Sequence, residues 1–288
     1  MKSLLNSILA AALVLGIFQV SYGELFDSNW NARYNSLFSL TYKKPTFFHG
    51  SYDYGYPPEI VGWTIYLTMK MNLNKDNYLT LEFPFSNGRR DLYDGSYLSS
   101  RAIGNIYIGY NEYSMKDKLE FDIGLRIPII SELSRYAIYT GTFTDVTKVG
   151  AFIPNAITTS CGFSYLPFGH KTPTAILSLG SYLMFNTKTR EYYEHIAFRH
   201  SPASFISYSL GFEDTTEWTR LRIGFSGLKQ INSQEPYNGQ SNFNFINVAL
   251  DFNLKYLIAG LIYNHAIGEH YDTILENSLG IKFELLIE

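Results

Sequence analysis

Apolar and polar residues change places at every second position along about a dozen segments of this chain, the period of a β-strand with one greasy face. The pattern is clearest from Val61 to Leu73, where Val61, Trp63, Ile65, Leu67, Met69, Met71 and Leu73 oppose Gly62, Thr64, Tyr66, Thr68, Lys70 and Asn72. An amphipathic helix would scatter that apolar set around its cylinder. Tyr34 to Tyr42 shows the same alternation. After the polar turn Asn74-Lys75-Asp76-Asn77, so do Leu79, Leu81, Phe83 and Phe85, set against Thr80, Glu82 and Pro84. Ala102 to Glu112 follows, and then Leu119 to Ile129, whose apolar positions oppose Glu120, Asp122, Gly124, Arg126 and Pro128. Looser segments run 156–166, 175–186, somewhere within 195–212 (interrupted by Pro202), 218–228, 242–254, 257–265 and 273–287.

The connectors alternate too. Short turns fall near 74–77, 114–118, 167–173, 213–217 and 255–256; longer loops fall at 43–59, 86–101, 130–155, 187–202, 229–241 and 266–272. Up-and-down strands with short turns at one end and long loops at the other are the pattern of a transmembrane antiparallel β-barrel. The expected fold is therefore all-β, with about 12 strands and both termini on the short-turn, periplasmic side. A soluble lipocalin-like barrel or sandwich would also alternate, but it would bury the greasy face around a single core. Here Glu, Asp and Arg stand opposite fully apolar strand faces, and charges so placed need water or partners on their side.

The N-terminus supplies an address. Lys2 precedes an apolar run from Ile8 to Phe18, with Ser21 and Gly23 at the cleavage positions, which reads as a secretory signal over residues 1–23. The run is shorter than the roughly 20 residues that a spanning helix requires. Glu24 follows where a lipoprotein would carry cysteine. No linker divides residues 24–288, so a single barrel domain is expected in the outer membrane of a Gram-negative-type bacterium. The mean hydropathy of −0.08 is that of a polar protein, but a barrel evades such averages because only alternate residues meet lipid. The 24 Tyr and 21 Phe against 3 Trp suit strands and interfacial girdles. The formal charge of −3 argues against a nucleic-acid partner. Cys161 is the one cysteine, so no internal disulfide forms, and it reads as a packed small hydrophobe.

Three stretches carry a family resemblance: Leu81-Glu82-Phe83-Pro84-Phe85, then Ala102-Ile103-Gly104-Asn105-Ile106-Tyr107-Ile108-Gly109-Tyr110, then Ile123-Gly124-Leu125-Arg126-Ile127-Pro128. This progression resembles bacterial outer-membrane proteins of the FadL-like and meta-pathway (phenol-degradation) transporter type. The resemblance implies a barrel that admits hydrophobic or aromatic small molecules. Two features depart from the pattern. Residues 24–33 are too few for an N-terminal hatch, and the chain ends Leu285-Leu286-Ile287-Glu288 without a terminal aromatic, a place that Phe283 takes from within.

Position opposite the apolar faces assigns Lys70, Glu82, Glu120, Asp122, Arg126, Arg220, Arg222, Asp251, Glu276 and Lys282 to the lumen. Their mixed signs suit ladders of ion pairs, either as structural filling or as a selectivity lining. Tyr52, Tyr54 and Tyr56 form a candidate aromatic platform at the entrance, and loop 130–155, the longest, is a candidate to fold inward and constrict the pore. Outer-membrane phospholipases of similar size use a His-x-Ser-Asn-Gly motif. Ser86-Asn87-Gly88 is present here, but Pro84 stands where the histidine would be and cannot act as a base. His200-Ser201 is adjacent instead of spaced, so the two side chains point to opposite faces. His265, Glu269 and His270, with His49, His195 and His200 near the same rim, read as solvated loop residues, and no metal or cofactor is expected. The leading expectation is a non-enzymatic channel that passes small molecules. The alternatives are a barrel without a conducting lumen and, third, a lipase.

Overall fold

The computed structural model describes residues 36–47, 60–74, 76–92, 94–114, 118–130, 133–145, 147–167, 173–187, 203–231, 242–267 and 275–287. Thirteen strands and one helix lie among them: β1 (Ser36–Phe47), β2 (Ile60–Asn72), β3 (Asn77–Asp91), β4 (Tyr97–Ile103), β5 (Ile106–Ser114), β6 (Leu119–Ile127), α1 (Arg135–Thr144), β7 (Ala156–Tyr165), β8 (Thr174–Asn186), β9 (Ala203–Thr215), β10 (Thr219–Gln230), β11 (Asn242–Asn253), β12 (Leu257–Ile267) and β13 (Leu275–Ile287). Each strand pairs antiparallel with its neighbours, and the β1–β13 and β2–β3 pairings close the ring. Apart from β4, which pairs with β3 alone, closure leaves no sheet edge among the described strands, the condition for a sheet to span a bilayer.

The wall has twelve staves. β4 and β5 are two pieces of one stave, broken at Gly104-Asn105: β5 pairs with the lower half of β3, and β4 with its upper half. The sequence suggested a loop at 86–101, whereas β3 continues to Asp91 and returns as β4. This upper hairpin carries Ser, Asn and Arg and braces the backbone of the helix α1, and so it lacks the apolar alternation that marks the other strands.

Side chains sort by face as the alternation demands. Ile123, Leu125, Leu221, Ile223, Leu279 and Ile281 are exposed on the outside, which is the hydrocarbon-facing side of a membrane barrel. Cys161 is half-buried on the same outer face, paired across the ladder with Ile123 and Ser181. Inside, the wall is layered along its axis. The short-turn end holds the charged residues Arg220, Arg222, Asp251, Lys282 and Glu284. The middle is Ser, Thr, Gly and Asn. Towards the long loops the inward residues turn apolar: Phe47, Tyr182, Met184, Phe205, Leu228, Phe243, Phe245 and Leu275.

Those apolar residues have something to pack against. Between β6 and β7 the chain forms α1 inside the barrel, and Asp145 and residues 147–155 lie across the lumen. Phe143, Val149 and Ile153 of this plug share one cluster with the apolar wall. The sequence named this loop as a candidate for folding inward, but not its helix. Ser134 at the N-cap makes no side-chain cap bond and the first turn has no acidic residue, so α1 is held by tertiary contacts and not by local signals.

Candidate functional site

The plug is bracketed on one side of the barrel. α1 lies on β2, β3 and β4, and two glycines make that approach possible: a methyl at Gly88 would fall on the Tyr136 carbonyl, and one at Gly62 on Thr140. Ser86 Oγ donates to the Ala137 carbonyl at 2.7 Å, Ser100 Oγ accepts from the Ala137 N–H at 2.9 Å, and Ser134 Oγ donates to the Arg101 carbonyl at 2.9 Å. The serine of the Ser-Asn-Gly stretch is thus 2% exposed and fastened to the plug.

Asn105, at the break between β4 and β5, is the central clamp. Its side-chain amide donates to the Gly150 and Ile153 carbonyls, both at 2.7 Å, and its oxygen accepts from the Ile129 and Ile130 N–H groups at 3.0 and 3.3 Å. Its backbone N–H donates to the Ala151 carbonyl at 2.7 Å. Two donors and two acceptors are all that an asparagine side chain offers, and all are used. Arg126 closes the unit by donating to the Asn105 carbonyl at 3.3 Å and to Glu82 at 2.8 Å, while Lys148 of the plug binds the other oxygen of Glu82. Glu82, Asn105 and Arg126 come from three successive staves, and each lies in one of the three stretches that carried the family resemblance. What those stretches build in this chain is a plug clamp.

A second tie joins Lys43 of β1 to Asp145, which also accepts from the Thr147 hydroxyl. Burial pushes the Asp145 carboxyl up, but the Lys43 and Lys148 ammonium groups and the hydrogen bonds from Lys43 and Thr147 outweigh it and hold the carboxyl below its ordinary range.

Below the plug is a cavity of about 140 Å³. It exists because the mid-wall residues are small: Ser39, Thr41, Thr68, Gly224, Asn247, Asn264 and Ser278 leave the lumen unfilled on the side of β1, β2 and β9 to β13. On the side of β5 to β7 the Tyr107 ring fills it, lying flush on Gly109 and Gly124 with Arg126 over its face at 5.0 Å. Seven charged residues line the cavity, five basic (Lys43, Lys70, Lys148, Arg222, Lys282) and two acidic (Asp145, Glu284). Balancing carboxylates lie behind them in the wall: Glu82, bound to Lys148, and Asp251, which accepts from Arg220 at 2.6 Å, Arg222 at 2.5 Å and Lys282 at 3.3 Å on one oxygen while its other oxygen packs against Gly260.

Of the residues that the alternation assigned to the lumen, Lys70, Glu82, Arg126, Arg220, Arg222, Asp251 and Lys282 are buried inside the wall. Glu120 and Asp122 are half-buried there, Glu120 accepting from the Tyr78 hydroxyl at 2.5 Å, and Lys70 lies 4.9 Å from the Tyr78 ring. Glu276 corrects the assignment: it is exposed. The ladder of β13 against β1 slips between Thr46 and Phe47, and this bulge turns Leu275 inward and Glu276 out. Tyr52, Tyr54, Tyr56, His49, His195, His200, Glu269 and His270 lie outside the described residues, as does the signal segment. His265 is described and sits on the outer face, stacked at 6.4 Å on Tyr263. Lys43, Asp145, Lys148 and Glu284 were missed. Glu284 carried a signal, since it shares the face of Lys282; the other three lay in stretches read as loops.

Comparison with solved structures places the architecture. An outer-membrane channel from Pseudomonas putida F1 superposes with a TM-score of 0.56 at 10% identity, over 88% of this chain and 96% of that one. The NanC porin does so with a TM-score of 0.52 at 6% identity, over 87% and 100%. The fold is that of a bacterial outer-membrane β-barrel. LpxR from Salmonella typhimurium gives a TM-score of 0.50 at 8% identity, over 88% and 100%. No family model and no curated protein matches the sequence. The assignment of the fold therefore rests on geometry.

Proposed function

We propose that this barrel is an outer-membrane channel for small molecules, exported by a signal at residues 1–23 and seated with its short turns and both termini in the periplasm. The single observation that carries the reading is the unfilled cavity beneath a clamped plug: a barrel built only as a wall has no need to keep its mid-lumen residues small while placing buried charges above and below them. The apolar cluster at the long-loop end suits solutes with a hydrophobic or aromatic body, in keeping with the FadL-like and meta-pathway resemblance.

The test is planar-bilayer recording of the refolded full chain beside Asn105→Ala, which removes four of the hydrogen bonds that hold the plug. The reading expects discrete conductance steps from the variant. A variant silent above background would instead support a barrel with a structural or surface role, the reading favoured by the buried ion pairs and the occupied lumen.

A further inference from the structure

The plug packs apolar side chains against both halves of the barrel, Ile138 and Phe152 joining Tyr66 of β2 in one cluster, but its charged and Asn105 ties lie on one side. Towards β2, β3, β4 and β5 it is fixed by hydrogen bonds, ion pairs and close glycine contacts to Ser86, Gly88 and Asn105. Towards β9, β10 and β11, Phe143 and Ile153 belong to the same apolar cluster as Phe205, Leu228 and Phe245, a seam of carbon beside a polar tie, the Tyr182 hydroxyl of β8 donating to the Thr147 carbonyl at 3.3 Å. Phe245 belongs to both the seam and the cavity lining, so the seam is the partition between the cavity and the long-loop end.

Resting on the channel reading, we infer that this seam is the gate and the selectivity element, and that the plug backbone stays in place when it opens. Freeing the plug would expose a set of buried polar groups together, whereas parting apolar side chains breaks no hydrogen bond. A dry apolar constriction excludes hydrated ions because it offers nothing in exchange for their water. An apolar body passes the same seam by replacing one carbon contact with another. Phe205, Leu228 and Phe245 are on this account specificity-determining residues, although none carries a charge.

The test replaces seam carbon with hydroxyl. In the full chain refolded into bilayers, Phe205→Ser with Phe245→Ser is expected to raise potassium chloride conductance by about tenfold or more. Hydrogen exchange of residues 135–141 is expected to stay as slow as in the native protein, and Phe205→Leu is expected to remain closed. Leu228→Thr serves as a second, milder variant should the double substitution not refold. Unchanged conductance in the seam variants, or raised conductance accompanied by fast exchange of 135–141, overturns the proposal. Asn105→Ala separates the two levels of the argument: conduction there with silent seam variants removes the gate and leaves the channel, while silence in both removes the channel.

Discussion

Replacing Asn105 by alanine is the sharpest perturbation of the plug. The side chain makes four hydrogen bonds to backbone groups, two to carbonyls of the plug (Gly150, Ile153) and two to N–H groups where the chain turns inward (Ile129, Ile130). At about 1 kcal/mol net for each bond, the loss is about 4 kcal/mol. That cost falls on the plug and not on the barrel, because the strand ladders do not run through Asn105. A local opening made easier by about 4 kcal/mol is roughly a thousandfold more populated. Amide hydrogen exchange of residues 147–153 reads this population directly. The expectation is exchange about three orders of magnitude faster over those residues, with the strand amides of β8 to β12 unchanged. Asn105→Asp, which keeps the acceptors and loses both donors, falls between. Exchange within a factor of about ten of native in Asn105→Ala would refute the clamp.

Four further outcomes follow from the same geometry. Asp251→Asn strips Arg220, Arg222 and Lys282 of the carboxylate they share and is expected to cost about 3–5 kcal/mol in urea unfolding from liposomes. Ile123→Lys puts a charge on the outer face at mid-strand and is expected to cost about 2–4 kcal/mol in the same assay, whereas a soluble barrel would tolerate it. Gly88→Ala drives a methyl into the Tyr136 carbonyl and is expected to loosen α1 by about 1–3 kcal/mol, seen as faster exchange of 135–141 without loss of the barrel's circular dichroism. The Lys43–Asp145 tie follows the carboxylate sign: a depressed folded pKa gives stability that is fully present above the unfolded value of about 3.9 and is lost as pH falls through the folded one. Protease resistance of the plug is therefore expected to hold from neutral pH down to about 4 and to fail only below it.

The strands were legible because lipid enforces a period of two. Wherever a segment meets hydrocarbon on one side, as at Val61 to Asn72 and Leu119 to Ile127, the pattern survives almost without exception. Where the wall meets the plug instead, the code changes. Ser86 to Asp91 reads as a polar loop yet continues β3, because its partners are a helix backbone and the strand β4. α1 was hidden for a related reason: Arg-Tyr-Ala-Ile-Tyr-Thr-Gly-Thr-Phe-Thr is rich in β-branched and aromatic residues that favour a helix weakly, and only the bracket holds it so. Glu276 was misplaced because one extra residue in a bulge reverses the phase of everything beyond it and leaves no mark in composition. The clamp stood in plain view as Glu82, Asn105 and Arg126. The sequence marks them as short motifs on successive strands, but that they meet one another and the plug depends on inter-strand register.

On the proposed function, a tethered plug packed against the wall closes this lumen. Single-channel recording of the native chain beside Asn105→Ala under the same voltage and salt decides it. A native trace near baseline and frequent, uniform steps from the variant are expected. Equal conductance in the two proteins, whether both open or both silent, would contradict it.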